Sequence, residues 1–82
     1  MIVRVLFFAY LRERCGREAR VEVAAGASID DLWTLLRARY PVLDDAVVRF
    51  ALNRVYVDKS HLLHNNDELA LIPPVSGGSA VA

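Results

Sequence analysis

Few residues in this chain could carry chemistry. His61 and His64 stand three positions apart in a polar stretch, and two imidazoles can begin a metal site. A catalytic zinc usually takes three protein ligands, so the pair reads as loop residues, with no metal bound. Cys15 lies between Arg14 and Gly16. A neighbouring guanidinium favours the thiolate, but no base stands near it in the sequence, and it reads as a bland residue. Asp30-Asp31 and Asp44-Asp45 are paired only in sequence; a helix start explains the first pair and a loop the second. There is no glycine-rich phosphate loop, no zinc spacing, and no serine, histidine and aspartate order on supporting elements. What remains is the end of the chain, Pro73-Pro74-Val75-Ser76-Gly77-Gly78. The prolines stiffen it, and the glycines carry no side chains. A narrow channel in another protein could close on such bare backbone. Taken alone, the glycine pair reads more readily as a frayed or linker-like end. Its spacing after Pro-Pro, and the rest of the chain, give it another meaning.

The elements that would position this tail follow from hydrophobic period and turn residues. Ile2 to Tyr10 is rich in Val, Phe and Leu and predicts a strand, apolar on both faces apart from Arg4. Arg12 to Arg17, with Gly16, predicts a turn. Glu18 to Ala24 alternates, with Val21 and Val23 on one side, and predicts a half-buried strand returning as a hairpin. Ser28 is a good helix N-cap, and Asp31 occupies the capping-box position. Ile29, Leu32, Leu35 and Leu36 recur at helical spacing, and Pro41 stops the helix near Tyr40. Val42 to Ala46 reads as a loop and Val47 to Asn53 as a third strand. Asn53-Arg54 makes a tight turn into a short strand, Val55 to Val57. Asp58 to Asn66 is polar and irregular, Asn65-Asn66-Asp67 is a turn, and Glu68 to Ile72 is the last strand before Pro73-Pro74.

One helix crossing one mixed sheet buries the apolar face of each. The right-handed crossover rule sets the last strand beside the first and parallel to it. The expected fold is therefore α+β: a β-grasp, ubiquitin-like, with a mixed sheet of four to five strands packed on one helix. Residues 1–75 form the domain and residues 76–82 a flexible tail. The expected core is Val3, Val5, Phe7, Val21, Val23, Ile29, Leu32, Leu36, Phe50, Leu52, Leu69 and Leu71.

Composition narrows the function classes. The chain has 82 residues, enough for one domain with a small core. An enzyme of this size would usually need a partner to complete its site. Hydrophobic residues make up 55% of the chain, too many for disorder and more than one small core needs, so some are expected on a surface that a partner covers. Ten basic and ten acidic residues balance to zero, which is not the footprint of a nucleic-acid binder. Arg4, Arg12, Arg14, Arg17 and Arg20 are interleaved with Glu13, Glu18 and Glu22, as on a solvated mixed-sign surface. The single cysteine rules out an intramolecular disulfide and a cysteine-only metal site, and fits a reducing cytoplasm. Arg4 interrupts the first apolar run, so it does not read as a signal peptide, and no stretch is long enough to span a membrane.

This pattern resembles the small subunit of molybdopterin synthase, the MoaD family of sulfur carriers, over residues 1 to 78. Val5-Leu6-Phe7-Phe8-Ala9 and Leu11-Arg12-Glu13 look like the family's first strand and turn. Leu52-Asn53 matches its third strand and turn, with Arg54 where a glycine is usual. Asp67-Glu68-Leu69-Ala70-Leu71-Ile72-Pro73-Pro74-Val75-Ser76-Gly77-Gly78 is the most specific match, preceded by Asn65-Asn66 where Asp-Gly is usual.

The resemblance implies a role. An activating enzyme related to ubiquitin E1 (MoeB-like) would adenylate the Gly78 carboxylate with ATP, and sulfur from a persulfide would convert it to a thiocarboxylate. The tail, Pro73, Pro74, Val75, Ser76 and Gly77, would thread into a large subunit (MoaE-like). There the sulfur passes to a cyclic pyranopterin phosphate. The chain would be no enzyme by itself and would hold no permanent cofactor. Relatives on this fold serve thiamine, cysteine or thiolated-tRNA synthesis; a ubiquitin-like modifier and a binding module without tail chemistry are the other readings.

Two further expectations concern the sheet and the chain end. If Val3, Val5 and Phe7 face the helix, alternation places Leu6 and Phe8 on the opposite face, with Ala51, Ala70 and Ile72 beside them. That apolar patch near the tail would suit a partner surface, or else a second small core under the stretch Asp58 to Asn66. Ser79-Ala80-Val81-Ala82 follows Gly78, whereas Gly-Gly normally ends the chain in this family. A trimming protease would remove the extension, or the chain is cut from a fusion, or the carboxylate chemistry has been lost.

Overall fold

The computed structural model describes residues 1–74. Its elements are β1 (Ile2–Phe7), α1 (Tyr10–Cys15), β2 (Glu18–Glu22), α2 (Ile29–Arg39), a 3-10 turn (Pro41–Asp45), β3 (Arg49–Leu52), β4 (Val55–Val57) and β5 (Glu68–Ile72). The strands form one sheet in the order β2-β1-β5-β3-β4. β1 and β5 pair in parallel, and the other neighbours are antiparallel. This is the ubiquitin-like β-grasp arrangement expected from the sequence.

Register puts large apolar side chains in one layer. Val3 lies opposite Val21, Val5 opposite Leu69, and Phe7 opposite Leu71; across the next pairing Phe50 meets Leu71 and Leu52 meets Leu69. Strand side chains alternate between faces, so all of these point towards α2. The helix answers with Ile29, Leu32, Trp33 and Leu36, each buried. All twelve residues assigned to the core from the sequence are buried.

The start of α2 is fully satisfied. The Ser28 hydroxyl accepts the Asp31 N–H at 3.2 Å, and the Asp31 carboxylate accepts the Ser28 N–H at 2.9 Å. The next two free N–H groups, of Ile29 and Asp30, donate to the carbonyls of His61 and Lys59, each at 2.9 Å. Four orphan donors are the usual liability of a helix end. Here the stretch after β4 removes that liability, and its Leu63 enters the main core. Those residues therefore cover the helix side of the sheet and form no second core under its outer face.

Several expectations need correction. β1 stops at Phe7 rather than Tyr10, because Ala9 takes a positive φ of 54° and turns the chain out of the sheet. The expected turn at Arg12–Arg17 is instead α1, which drives fully buried Leu11 into the core and ends at Gly16, φ 95°. Leu, Arg and Glu all favour helix, and together they outweigh the turn tendency of Gly16. Leu35 is 49% exposed, and Trp33 takes its place, meeting Phe50 edge to face at 5.5 Å. The loop at Val42–Ala46 contains a 3-10 turn with fully buried Leu43, and β3 begins at Arg49 rather than Val47.

Replacing Ser28 with alanine is expected to cost about 1 kcal/mol. Leu36→Ala should cost about 2–5 kcal/mol. In a domain this small each 1 kcal/mol lowers the melting temperature by about 4–8 °C, so a calorimetric scan separates the two variants. An S28A melt equal to wild type would show that the His61 and Lys59 carbonyls, which hold the two neighbouring N–H groups, anchor the helix start without the Ser28 hydroxyl.

Candidate functional site

The tail leaves from β5, which lies between β1 and β3 in the sheet. Ile72 is its last residue and pairs with Arg49. Pro73 is buried against the fold, and Pro74 is exposed. Neither proline nitrogen can extend the ladder, which fixes where pairing stops. Val75, Ser76, Gly77, Gly78 and the Ser79–Ala82 extension lie outside the described residues.

The face of the sheet turned away from α2 holds a depression of about 380 Å³. Leu6, Phe8, Ala51, Ala70 and Ile72 all line it, as alternation places them. Leu6 pairs with Ala70, and Ala70 with Ala51. These central alanines are the reason the face is concave: small side chains sit mid-sheet, with larger ones around them. Sequence reasoning missed the rim residues Arg54, Tyr56 and Glu68. The period-two rule that found Ala70 and Ile72 also reaches Glu68. Tyr56 follows from its pairing with Ala51 across the tight hairpin.

Charge surrounds the apolar floor. Arg4 and Glu68 form an ion pair at 2.6 Å, with side chains 40% and 21% exposed. At that exposure the pair adds little stability, about 1 kcal/mol or less. Arg12 stacks over Phe8 at 5.6 Å, and Arg49 over Tyr56 at 4.2 Å.

The hairpin at Asn53-Arg54 is locked to the start of β5. Asn53 donates its side-chain N–H to Asp67 at 2.9 Å and accepts the Glu68 N–H at 3.0 Å. Both turn residues have positive φ, 50° and 73°, as a two-residue type I′ hairpin requires. Asn66 is likewise left-handed, at 69°, and its N–H donates to the Ile2 carbonyl at 2.7 Å.

The other candidates do not join this face. His61 and His64 are exposed, and the nearest carboxylate to His64 is Asp67 at 3.9 Å. Among the described residues no three His, Cys, Asp or Glu side chains converge as a metal-binding group. Cys15 is half-buried in α1, and burial raises its thiol pKa despite the opposing charge of Arg14. The environment thus works against thiolate formation, the reverse of what Arg14 alone suggests.

A mixed sheet crossed by one long helix, with a concave apolar outer face and a chain end leaving between its paired strands, defines a ubiquitin-like β-grasp carrier or modifier. Comparison with known proteins narrows the class. Residues 5–78 match the ThiS family. The molybdopterin synthase sulfur carrier subunit of Chlamydomonas reinhardtii is 41% identical, over 95% of this chain and 100% of that protein. The chain belongs to the ThiS family and, within it, to the MoaD-type sulfur carriers. Its fold superposes on SAMP1 from Haloferax volcanii with a TM-score of 0.83 at 31% identity, covering 95% and 100% of the two chains. It also superposes on a chain from the complex of subunits 1 and 2 of molybdopterin-converting factor of Helicobacter pylori, with a TM-score of 0.72 at 25% identity over 95% and 100%.

Because its pKa is raised, Cys15 holds less thiolate than a free thiol at any pH below that value. Its alkylation rate should therefore be lower near neutral pH, and the pH–rate profile should be displaced upward relative to a model thiol. A profile displaced downward would mean that Arg14 outweighs burial.

Proposed function

We propose that this chain is the sulfur-donating subunit of a molybdopterin synthase, working in the cytoplasm in molybdenum cofactor biosynthesis. The observation that carries this reading is the match along nearly the whole chain, tail included, to sulfur carrier subunits of that synthase. The arrangement of the sheet agrees with it, since the strand that bears the tail also floors the apolar outer face. Among the described residues no helix is long and apolar enough to cross a membrane.

Chemistry would reside in the main chain. Hydrolysis of the Gly78–Ser79 bond, by a trimming protease, frees the Gly78 carboxylate. A carboxylate is a poor electrophile. On a MoeB-like enzyme it attacks the α-phosphate of ATP, pyrophosphate leaves, and the acyl-adenylate now carries a good leaving group. The outer sulfur of a persulfide then displaces AMP to form an acyl disulfide. A thiol attacking the inner sulfur breaks the S–S bond, leaving a disulfide behind and releasing a thiocarboxylate, a competent sulfur nucleophile. Pro73 stays seated on the fold, and Pro74 to Gly77 thread this end into a MoaE-like large subunit, whose active site receives the sulfur. The outer face, centred on Leu6, Ala51, Ala70 and Ile72, docks on the partner. A partner of this kind has a precedent in the two-subunit complex from Helicobacter pylori.

Similarity to an archaeal modifier protein favours a second reading, in which activated Gly78 forms isopeptides with lysines of target proteins.

Intact mass of the native protein separates these readings. The carrier reading expects loss of Ser79–Ala82 together with exchange of one oxygen for sulfur. Conjugates on target lysines, without a pterin defect on deletion, support the modifier. Removing Gly77-Gly78 should abolish sulfur transfer and leave the melting temperature unchanged; persistent cofactor synthesis in that variant sinks the proposal. Leu6→Glu should leave the fold intact and weaken binding to the large subunit by about tenfold or more, read by calorimetry.

A further inference from the structure

The β3–β4 hairpin carries two arginines that stand outside the ion pairs of the fold. Among the described residues the ion pairs are Arg4–Glu68 and His64–Asp67, and neither Arg49 nor Arg54 takes part. Arg49 is exposed, yet it is not free to wander, because its guanidinium lies 4.2 Å above the Tyr56 ring. Stacking occupies the flat face of a guanidinium and leaves the N–H groups at its edge available. A fork held this way is suited to a carboxylate, which it can bind through two parallel hydrogen bonds.

Arg54 occupies its position against its own backbone preference. Its φ is 73°, in the left-handed region that residues with a Cβ adopt at a cost of about 1–2 kcal/mol. Glycine would sit there without strain. The side chain kept at this cost lines the outer depression.

The nearby acids are already engaged. Glu68 is paired with Arg4, and Asp58, which with Lys59 lines a groove beside Arg49, accepts hydrogen bonds from the Ser60 N–H and hydroxyl. Tyr56 borders both that groove and the depression, and along this edge Arg49, Lys59 and Arg54 outnumber Asp58, so the hairpin presents net positive charge continuous with the apolar floor.

We infer that the β3–β4 hairpin selects the partner that accepts the tail: Arg49, fixed over Tyr56, and Arg54 receive carboxylates that this partner presents around its tail entrance. The inference rests on the sulfur-carrier reading and names the chemistry of the docking surface. Arg49 is in register with Ile72, the last residue before the prolines. Six residues, Pro73 to Gly78, follow Ile72 up to the reactive end. When extended they reach about 20 Å, so Arg49 meets the surface around the entrance and not the reacting sulfur. The occupant is thus an acidic rim on the large subunit rather than the phosphate of its substrate.

The test is calorimetric titration of the full chain and its variants with the large subunit from the same organism, at low and high salt, beside thermal melts. Wild-type affinity should fall as salt rises. Arg49→Glu should weaken binding about tenfold or more and flatten that salt dependence, while loss of the contact with Tyr56 lowers the melting temperature by only a few degrees. Arg49→Lys keeps the charge and loses the fork, so it should fall between the two. Arg54→Gly should raise the melting temperature and yet weaken binding several-fold, opposite signs that a purely structural role does not produce. Wild-type affinity retained within twofold by Arg49→Glu would overturn the inference and leave the sulfur-carrier reading standing. So would a change confined to self-association in sedimentation, which would make the occupant a second copy. Failure of the wild-type chain to bind the large subunit at all would remove both.

Discussion

The structure depends on the parallel pairing of β1 with β5. These strands come from opposite ends of the chain: Val5 lies beside Leu69 and Phe7 beside Leu71. Because they run in the same direction, β5 delivers the chain to the edge of the sheet where β1 also ends. The same pairing seals the core, since Leu69 and Leu71 are completely buried between β1 and β3. The foothold of the tail is therefore among the best-anchored parts of the molecule. Long-range pairing of this kind closes only after the whole chain is in place. A partially folded chain would lack both the outer face and the place from which the tail starts.

Alternation then divides the labour. Along β5, Leu69 and Leu71 turn to the helix while Glu68, Ala70 and Ile72 turn away. A register slip by one residue would exchange the two sets and expose the core. Stability and recognition thus sit on opposite faces of the same five residues, and either can be altered with little effect on the other. Small residues are tolerated at Ala51 and Ala70 because, among the described residues, no second layer packs on them as α2 packs on the other face. That is also why the face is concave enough to receive something else.

Much of this was legible in the sequence. Helix α2, its cap, all twelve core residues, the hairpin at Asn53-Arg54, the parallel pairing of first and last strands, and the five residues of the outer face follow from period, turn chemistry and the crossover rule. The misses share a cause: each was decided by tertiary context. Ala9 has a side chain and no obvious reason for a positive φ until Leu11 must reach the core. Trp33 and Leu35 are equally apolar, and only the position of Phe50 settles which faces inward. The polar stretch after β4 has no period at all, and it is organised by the unsatisfied N–H groups of a helix thirty residues earlier. The charged rim was missed for another reason. Glu68 and Tyr56 lie on the outer face by the same alternation, but an apolar pattern alone does not mark a carboxylate or a phenol as part of it.

The hairpin shows where local and global preferences part. Natural sequences agree with their folds at most positions, and disagreement concentrates where something besides folding is under constraint. Arg54 is such a position. Its neighbour Asn53 is also left-handed, but an asparagine tolerates that conformation, and its side chain earns its place by bridging Asp67 and Glu68. Arg54 has no hydrogen bond or ion pair of its own among the described residues. The turn needs positive φ at both central residues, and glycine would meet that need at lower cost. What arginine adds is a charge at the rim of the concave apolar outer face, a few residues along the hairpin from Arg49. A side chain that weakens the fold and faces a docking surface is more economically explained by what docks there than by the fold.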